Sequence, residues 1–78
     1  MIIEVSWRVP GSIPTVLGQP HSGVIYYEAE AMPAQDQVVA HLQTFISHLD
    51  PFSVRARKSS LTAEDLISKG ISFYRNAL

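Results

Sequence analysis

Hydrophobic and polar residues alternate in two stretches of the first half of the chain. The first stretch covers residues 3–9 and ends at Pro10, and the second covers residues 24–31. A period of two is typical of a strand with one buried face, so the pattern predicts two strands. Val24 and Tyr26 fall on the outward side of the second strand, together with glutamates.

A helical repeat follows in the middle of the chain. Apolar residues recur at three- and four-residue steps at Val38, Val39, Leu42, Phe45, Ile46 and Leu49. This spacing predicts an amphipathic helix that begins near Pro33 and ends before Pro51, because the residue before a proline avoids the helical region. Alternation over residues 52–57 then predicts a short third strand.

A second helical repeat occupies the last part of the sequence. Thr62 is suited to the N-cap position, Glu64 and Asp65 to the first turn, and the apolar face is formed by Leu66, Ile67, Gly70, Phe73, Tyr74 and Ala77. The predicted order is therefore β-β-α-β-α over a single domain, residues 1–78. It favours an α+β fold, a two-layer sandwich with a three-stranded mixed or antiparallel sheet and both helices on one face. Strand 1 would lie in the centre, antiparallel to strands 2 and 3, which would leave strand 2 at an edge.

The segment 10–23 is an unusual loop. It contains six prolines and glycines, too many for a regular element, and it places Ile13, Val16 and Leu17 among them. These apolar residues either present a stiff binding surface or fold back over a thin core. With Val24 and Tyr26 of the edge strand, they form the predicted protein-binding surface.

Composition narrows the class of protein. The chain has 78 residues, a mass of 8.6 kDa, 46% hydrophobic residues and a net charge of -1, which indicates one small folding unit. It contains no cysteine, which excludes disulfides and thiolate chemistry. Glu4 interrupts the apolar start, which argues against a secretion leader, and no apolar run approaches the roughly 20 residues of a membrane helix. We therefore expect a cytoplasmic protein with no membrane partner.

A cluster of cations is the basis for an alternative function. Arg8, Arg55, Arg57 and Lys58 together with an aromatic residue would suit single-stranded nucleic acid. The outward faces of the first two strands carry three glutamates, however, which are expected to neutralise these cations across the sheet. Nucleic acid is therefore the less favoured partner.

The histidines offer little for catalysis or metal binding. His41 and His48 lie seven residues apart in the predicted helix, about 10 Å of rise, whereas two ligands on one helix face need a spacing of four. His21 stands in the loop, and no nucleotide-binding glycine motif occurs. We predict no catalytic residue, no metal and no cofactor, and retain a small enzyme with a histidine base as the least favoured alternative.

The favoured function is a non-catalytic protein-protein interaction module. Such a chain would act as an adaptor, inhibitor or accessory subunit by occupying a surface through its edge strand and the 10–23 loop. Small cysteine-free chains encoded by phages and mobile elements often act in this way, an analogy from size alone. The expected partner is another protein, and a second copy forming a homodimer is one version of it.

Overall fold

The described residues of the chain form one mixed sheet with two helices. The computed structural model describes residues 1–12, 14 and 18–78. Its strands are Ile2–Arg8 (β1), Ser22–Glu28 (β2), Arg55–Lys58 (β3) and Phe73–Arg75 (β4), and its helices are Gln35–Gln43 (α1) and Ala63–Ser68 (α2). The α+β class is confirmed, but the sheet has four strands rather than the predicted three.

The strands lie in the order β3-β1-β2-β4. The central strand β1 is antiparallel to both β2 and β3, as predicted, and β4 is parallel to β2. Strand β2 is therefore enclosed between β1 and β4. The prediction that β2 is an edge strand is wrong, and the two edges of the sheet are β3 and β4.

The fourth strand was missed because its residues have helical spacing. Helix α2 ends at Ser68, and Gly70 adopts the left-handed region with φ of 71°. The Ile71 N–H then donates to the Leu66 carbonyl at 2.9 Å, which closes the helix end. Phe73 and Tyr74, assigned from the sequence to the helix face, instead pair with β2.

Helix α1 is also shorter than the repeat predicts. It ends at Gln43, and His48 has a left-handed φ of 59°. The side chain of Gln19 donates to the Ser47 carbonyl and accepts from the Ser47 N–H, each at 3.0 Å. The amide group of Gln19 thus satisfies backbone groups that a longer helix would have paired internally. Ile46 and Leu49 are still buried.

The predicted third strand begins later than its alternation suggests. Residues Pro51–Ser53 form a 3₁₀ turn, and β3 begins at Arg55. The Asp50 carboxylate accepts a hydrogen bond from the Phe52 N–H at 2.9 Å, which caps this turn. As a result Phe52 points into solvent and is 85% exposed, although its position in the pattern predicted burial.

The main core lies between one face of the sheet and α1. Its members are apolar residues of β1, β2 and α1 and of the segments that follow β1 and α1: Ile3, Val5, Trp7, Val9, Tyr27, Val38, Leu42, Ile46, Leu49 and Val54. On β1 these are the odd-numbered positions, so alternation set the buried face of that strand correctly.

Helix α2 lies on the other side of the sheet. Its buried residue, Leu66, is outside the α1 core, and Ala63 shares a surface pocket with Ile2, which points away from that core. The connections β2-α1-β3 and β3-α2-β4 run in opposite directions along the sheet, so two right-handed crossovers place their helices on opposite faces. The prediction of both helices on one face is therefore wrong.

A close contact between β1 and β2 fixes one end of this core. Gly23 pairs with Trp7, whose ring lies directly over it. A Cβ at Gly23 would lie 2.8 Å from the Trp7 Cζ2, so any side chain here displaces a core aromatic ring.

We predict that Gly23→Ala destabilises the protein by about 1–3 kcal/mol, because the added methyl overpacks the core against Trp7. The measurement is the free energy of unfolding from urea denaturation. Gly11→Ala is the matched control, since a Cβ there meets nothing within 4 Å, and it should leave stability nearly unchanged. Equal losses in the two variants would contradict the close contact.

Candidate interaction surface

The sheet face opposite the α1 core, here called the outer face, has α2 near Ile2 and leaves five side chains exposed: Arg8, Val24, Arg55, Arg57 and Arg75. Helix α2 has six residues and its start lies beside Ile2, at the first residue of β1. Register and alternation place the following residues on this face: Glu4, Ser6, Arg8, Val24, Tyr26, Glu28, Arg55, Arg57, Phe73 and Arg75. It therefore combines apolar groups with four arginines.

Two of these arginines are paired with carboxylates across the strands. The Arg57 guanidinium lies 2.9 Å from the Glu4 carboxylate, and Arg75 lies 3.8 Å from Glu28. Arg75 also lies over the ring of Phe73, 5.0 Å from its centroid. The neutralisation predicted from the sequence thus applies to Arg57, whose side chain remains largely exposed.

The other two arginines flank exposed apolar side chains. Arg8 and Arg55 have no carboxylate within 4.0 Å among the described residues. They line a pocket of about 300 Å³ together with Phe52 and Asp50, whose carboxylate accepts from the Phe52 N–H. Val24 lies in the same row of the sheet, opposite Ser6. We call the set Arg8, Val24, Phe52 and Arg55 the outer patch.

Arg55 is held in place within the outer patch. Its guanidinium donates to the Phe52 carbonyl at 2.7 Å and to the Val54 carbonyl at 3.0 Å. The backbone of Arg8 is fixed as well, because its N–H donates to the Ser53 hydroxyl at 2.8 Å. The charge of Arg55 is therefore positioned before any ligand arrives, which lowers the entropy cost of binding.

The predicted protein-binding residues are only partly accounted for. Val24 is 52% exposed and Tyr26 is half-buried, both on the outer face but in an enclosed strand. Ile13, Val16 and Leu17 lie outside the described residues.

The predicted cation cluster divides between two sides of the sheet. Arg8, Arg55 and Arg57 share the outer face, whereas strand alternation turns Lys58 away from it. Arg8 and Arg55 meet in a pocket that Asp50 also lines, and among the described residues neither arginine forms an ion pair.

The three histidines are not brought together. His21 and His48 are exposed, and His41 belongs to α1. Among the described residues, no group of three or more histidine, aspartate or glutamate side chains could hold a metal ion. His41 instead packs in an aromatic cluster, with its ring centroid 5.2 Å from that of Tyr27 and 5.6 Å from that of Tyr74.

Burial changes the acid-base behaviour of Tyr27 in this cluster. Tyr27 is 1% exposed, and its hydroxyl has no hydrogen-bond partner among the described residues. Desolvation, with a smaller contribution from Tyr74, raises the pKa of Tyr27 well above its ordinary value. The hydroxyl is therefore kept neutral and serves as packing rather than as a proton donor at neutral pH.

Glu28, the last residue of β2, and Glu30, two residues beyond it, face an open pocket that the sequence did not predict. Glu28 and Glu30 both line a pocket of about 410 Å³, near Asn76. Glu30 is exposed, and Glu28 lies 3.8 Å from Arg75. Neither carboxylate is in the apolar, enclosed setting that general acid catalysis by a carboxylic acid uses.

The start of α2 is occupied by its own side chains, as the sequence predicted. Thr62 and Asp65 form a capping box, in which the Asp65 carboxylate accepts from the Thr62 N–H at 2.9 Å. This hydrogen bond lowers the pKa of Asp65. The helix end therefore has an internal carboxylate in the place of an external anion.

No family model, no curated protein and no solved structure matches the chain. In the part of the chain that the structure describes, neither helix has the length and apolarity needed to cross a bilayer.

We predict that Tyr27→Phe raises the free energy of unfolding by about 1 kcal/mol at pH 7, because it removes a buried hydroxyl that has no partner. A loss of stability there would show that the hydroxyl is hydrogen-bonded.

The same variant has a predicted pH dependence. Because the folded pKa of Tyr27 is raised, stability is intact below its ordinary value of 10.0 and falls as the pH rises beyond it. Unfolding measured from pH 8 to 11 should show a smaller alkaline loss for Tyr27→Phe than for the parent. Identical slopes in the parent and in Tyr27→Phe would contradict the burial effect.

Proposed function

We propose that the chain is a non-catalytic protein-binding module whose outer patch receives an acidic segment of another protein. The observation that carries this proposal is Phe52, 85% exposed beside two arginines that lack carboxylate partners. A large apolar side chain held in solvent by a capped turn costs solvation free energy in the isolated chain, and burial by a partner recovers it.

The charge of the outer patch specifies the chemistry of the partner. Arg8 and Arg55 present two positive charges beside Phe52, against one acid in the same pocket, Asp50, which accepts from the Phe52 N–H. The nearby outer-face acid Glu4 is engaged by Arg57. A partner segment with carboxylates spaced around an aliphatic side chain would match both features. Arginine and exposed aromatic residues are also the types enriched where interfaces are strongest.

Single-stranded nucleic acid is the second candidate for the outer face. Arg8, Arg55 and Arg57 lie on one open sheet surface that also holds Tyr26 and Phe73, an arrangement that suits phosphate contacts and base stacking. Protein binding is preferred because Arg57 is paired with Glu4 and the whole chain has a net charge of -1. A backbone-binding surface needs an excess of unpaired cations.

The direct test uses a short fluorescent peptide of alternating glutamate and leucine, with its lysine-for-glutamate counterpart and a fluorescent oligothymidine of similar length as comparators. We expect the acidic peptide alone to bind, measured by fluorescence anisotropy at low salt. Preferred binding of the oligonucleotide would favour the second candidate, and no binding of any probe would contradict the outer patch as a charged docking site.

Charge reversal localises the binding. The double variant Arg8→Glu, Arg55→Glu should lower the affinity for the acidic peptide by about tenfold or more, which corresponds to about 1.4 kcal/mol. The control Lys58→Glu, Lys69→Glu makes the same change in net charge outside the outer patch. It should lower the affinity for the acidic peptide by less than about twofold. Equal losses of affinity in the two double variants would show that overall charge, and not the outer patch, determines binding.

Phe52→Ser separates binding from folding. Because Phe52 is almost fully exposed, its replacement should change the free energy of unfolding by less than about 0.5 kcal/mol. It should nevertheless remove most of the affinity for the peptide. A stable Phe52→Ser variant with parental affinity would exclude Phe52 from the binding site.

A further inference from the structure

The two edges of the sheet differ in their protection. The edge strand β3 carries Arg55, Arg57 and Lys58, and closely spaced charges of one sign oppose pairing with another strand. The edge strand β4 has the sequence Phe73, Tyr74, Arg75, with an aromatic residue on each face and one cation. Of the two, β4 is the edge open to an added strand.

The hydrogen-bond pattern shows which peptide groups face each edge. Met1 and Ala29 exchange two backbone hydrogen bonds, at 2.7 and 3.0 Å, and the Val9 N–H donates to the His21 carbonyl at 2.7 Å. Since such pairs recur every second residue in an antiparallel ladder, odd-numbered residues of β2 direct their peptide groups to β1. Even-numbered residues of β2, including Tyr26 and Glu28, direct theirs to β4.

This alternation determines the orientation of β4. Tyr27 is aligned with Tyr74 in a parallel ladder. In such a ladder the Tyr74 N–H donates to the Tyr26 carbonyl, and the Tyr74 carbonyl accepts from the Glu28 N–H. The peptide groups of the neighbouring residues Phe73 and Arg75 then point to the open edge. Each carries one N–H and one carbonyl, so four hydrogen-bonding groups face outward.

We infer that β4 pairs with the β4 strand of a second copy of this chain, antiparallel, about a two-fold axis at Tyr74. In this register Phe73 of each copy lies opposite Arg75 of the other copy. Both residues direct their peptide groups outward, so the two pairs exchange four hydrogen bonds and all outward groups of β4 are used. A shift by one residue would place outward groups against inward ones and would lose these bonds.

The side chains of β4 fit the same register. Within one chain Arg75 already lies over Phe73, 5.0 Å from the ring centroid, and the two-fold would bring each Arg75 beside the other copy's Phe73 as well. On the opposite face Tyr74 would meet its own copy as a closely spaced pair. Tyr74 and the neighbouring Phe45 are each 45% exposed, so the dimer would cover an apolar surface on both sides of the axis.

The edge is short, which limits the strength of the dimer. Asn76 has a left-handed φ of 54°, and Ala77 and Leu78 pack against the core, so β4 ends after three residues. The pairing uses none of the outer patch, so a test of the dimer is independent of the proposed function.

Proline variants test the pairing, because proline removes the N–H of one residue and leaves its neighbours able to bond. Arg75→Pro removes an outward N–H of β4. The matched control is Lys58→Pro. The Ser59 N–H donates to the Ile2 carbonyl, so the peptide groups of the neighbouring Lys58 face away from β1. Lys58→Pro therefore removes an outward N–H of β3. Sedimentation equilibrium over a concentration series should show the parent and Lys58→Pro moving from 8.6 kDa toward twice that mass. Arg75→Pro should remain at the monomer mass, and Arg75→Ala, which keeps the N–H, should lose less of the dimer than Arg75→Pro does.

A monomeric parent at every concentration, or an Arg75→Pro variant that dimerises like the parent, would overturn the inference. Amide hydrogen exchange of the unmodified protein gives an answer even where a variant fails to fold. The Tyr74 amide should be protected at every concentration, and the Phe73 and Arg75 amides only as the dimer forms. Protection of all three amides that is independent of concentration, or of none at any concentration, would also overturn it.

Discussion

The parallel pairing of β4 with β2 is the contact on which the rest of the architecture depends. It aligns three residues, Phe73–Arg75, with the end of β2, and it stacks the ring of Tyr74 on that of Tyr27 at 5.3 Å between centroids. This contact encloses β2 and makes β4 an edge. It also forces the chain to cross the sheet through α2, on the face opposite α1.

The accessible surface follows from that crossing. The start of the six-residue α2 lies near Ile2, and five side chains of the outer face remain exposed: Arg8, Val24, Arg55, Arg57 and Arg75. The small chain therefore has a thin core on one side of the sheet. It also has two different surfaces for association, the outer patch on a face and the strand β4 at an edge.

The sequence predicts those parts of the fold in which local pattern and tertiary contact agree. Alternation identified β1, β2 and their buried faces, and the Thr62 cap located the start of α2. It could not separate helix from strand at Phe73 and Tyr74, whose spacing from Leu66 suits a helix face while their pairing with β2 decides the strand. Gly70 was the only local signal of the break, and a glycine within a helix is also tolerated. Within the outer patch, Val24 followed from alternation and Arg8 and Arg55 from charge, but Phe52 was placed on a buried face because the capped turn after Asp50 resembles a strand in its polarity.

Nuclear Overhauser contacts between the backbone protons of β2 and β4 test this account most directly. In the pure monomer at low concentration, we expect a contact between the Tyr74 amide proton and the α proton of Tyr27, which this parallel register points toward β4. Helical contacts from Leu66 continuing through Tyr74, with none to β2, would contradict it, because the sheet would then have three strands and β2 would be its edge.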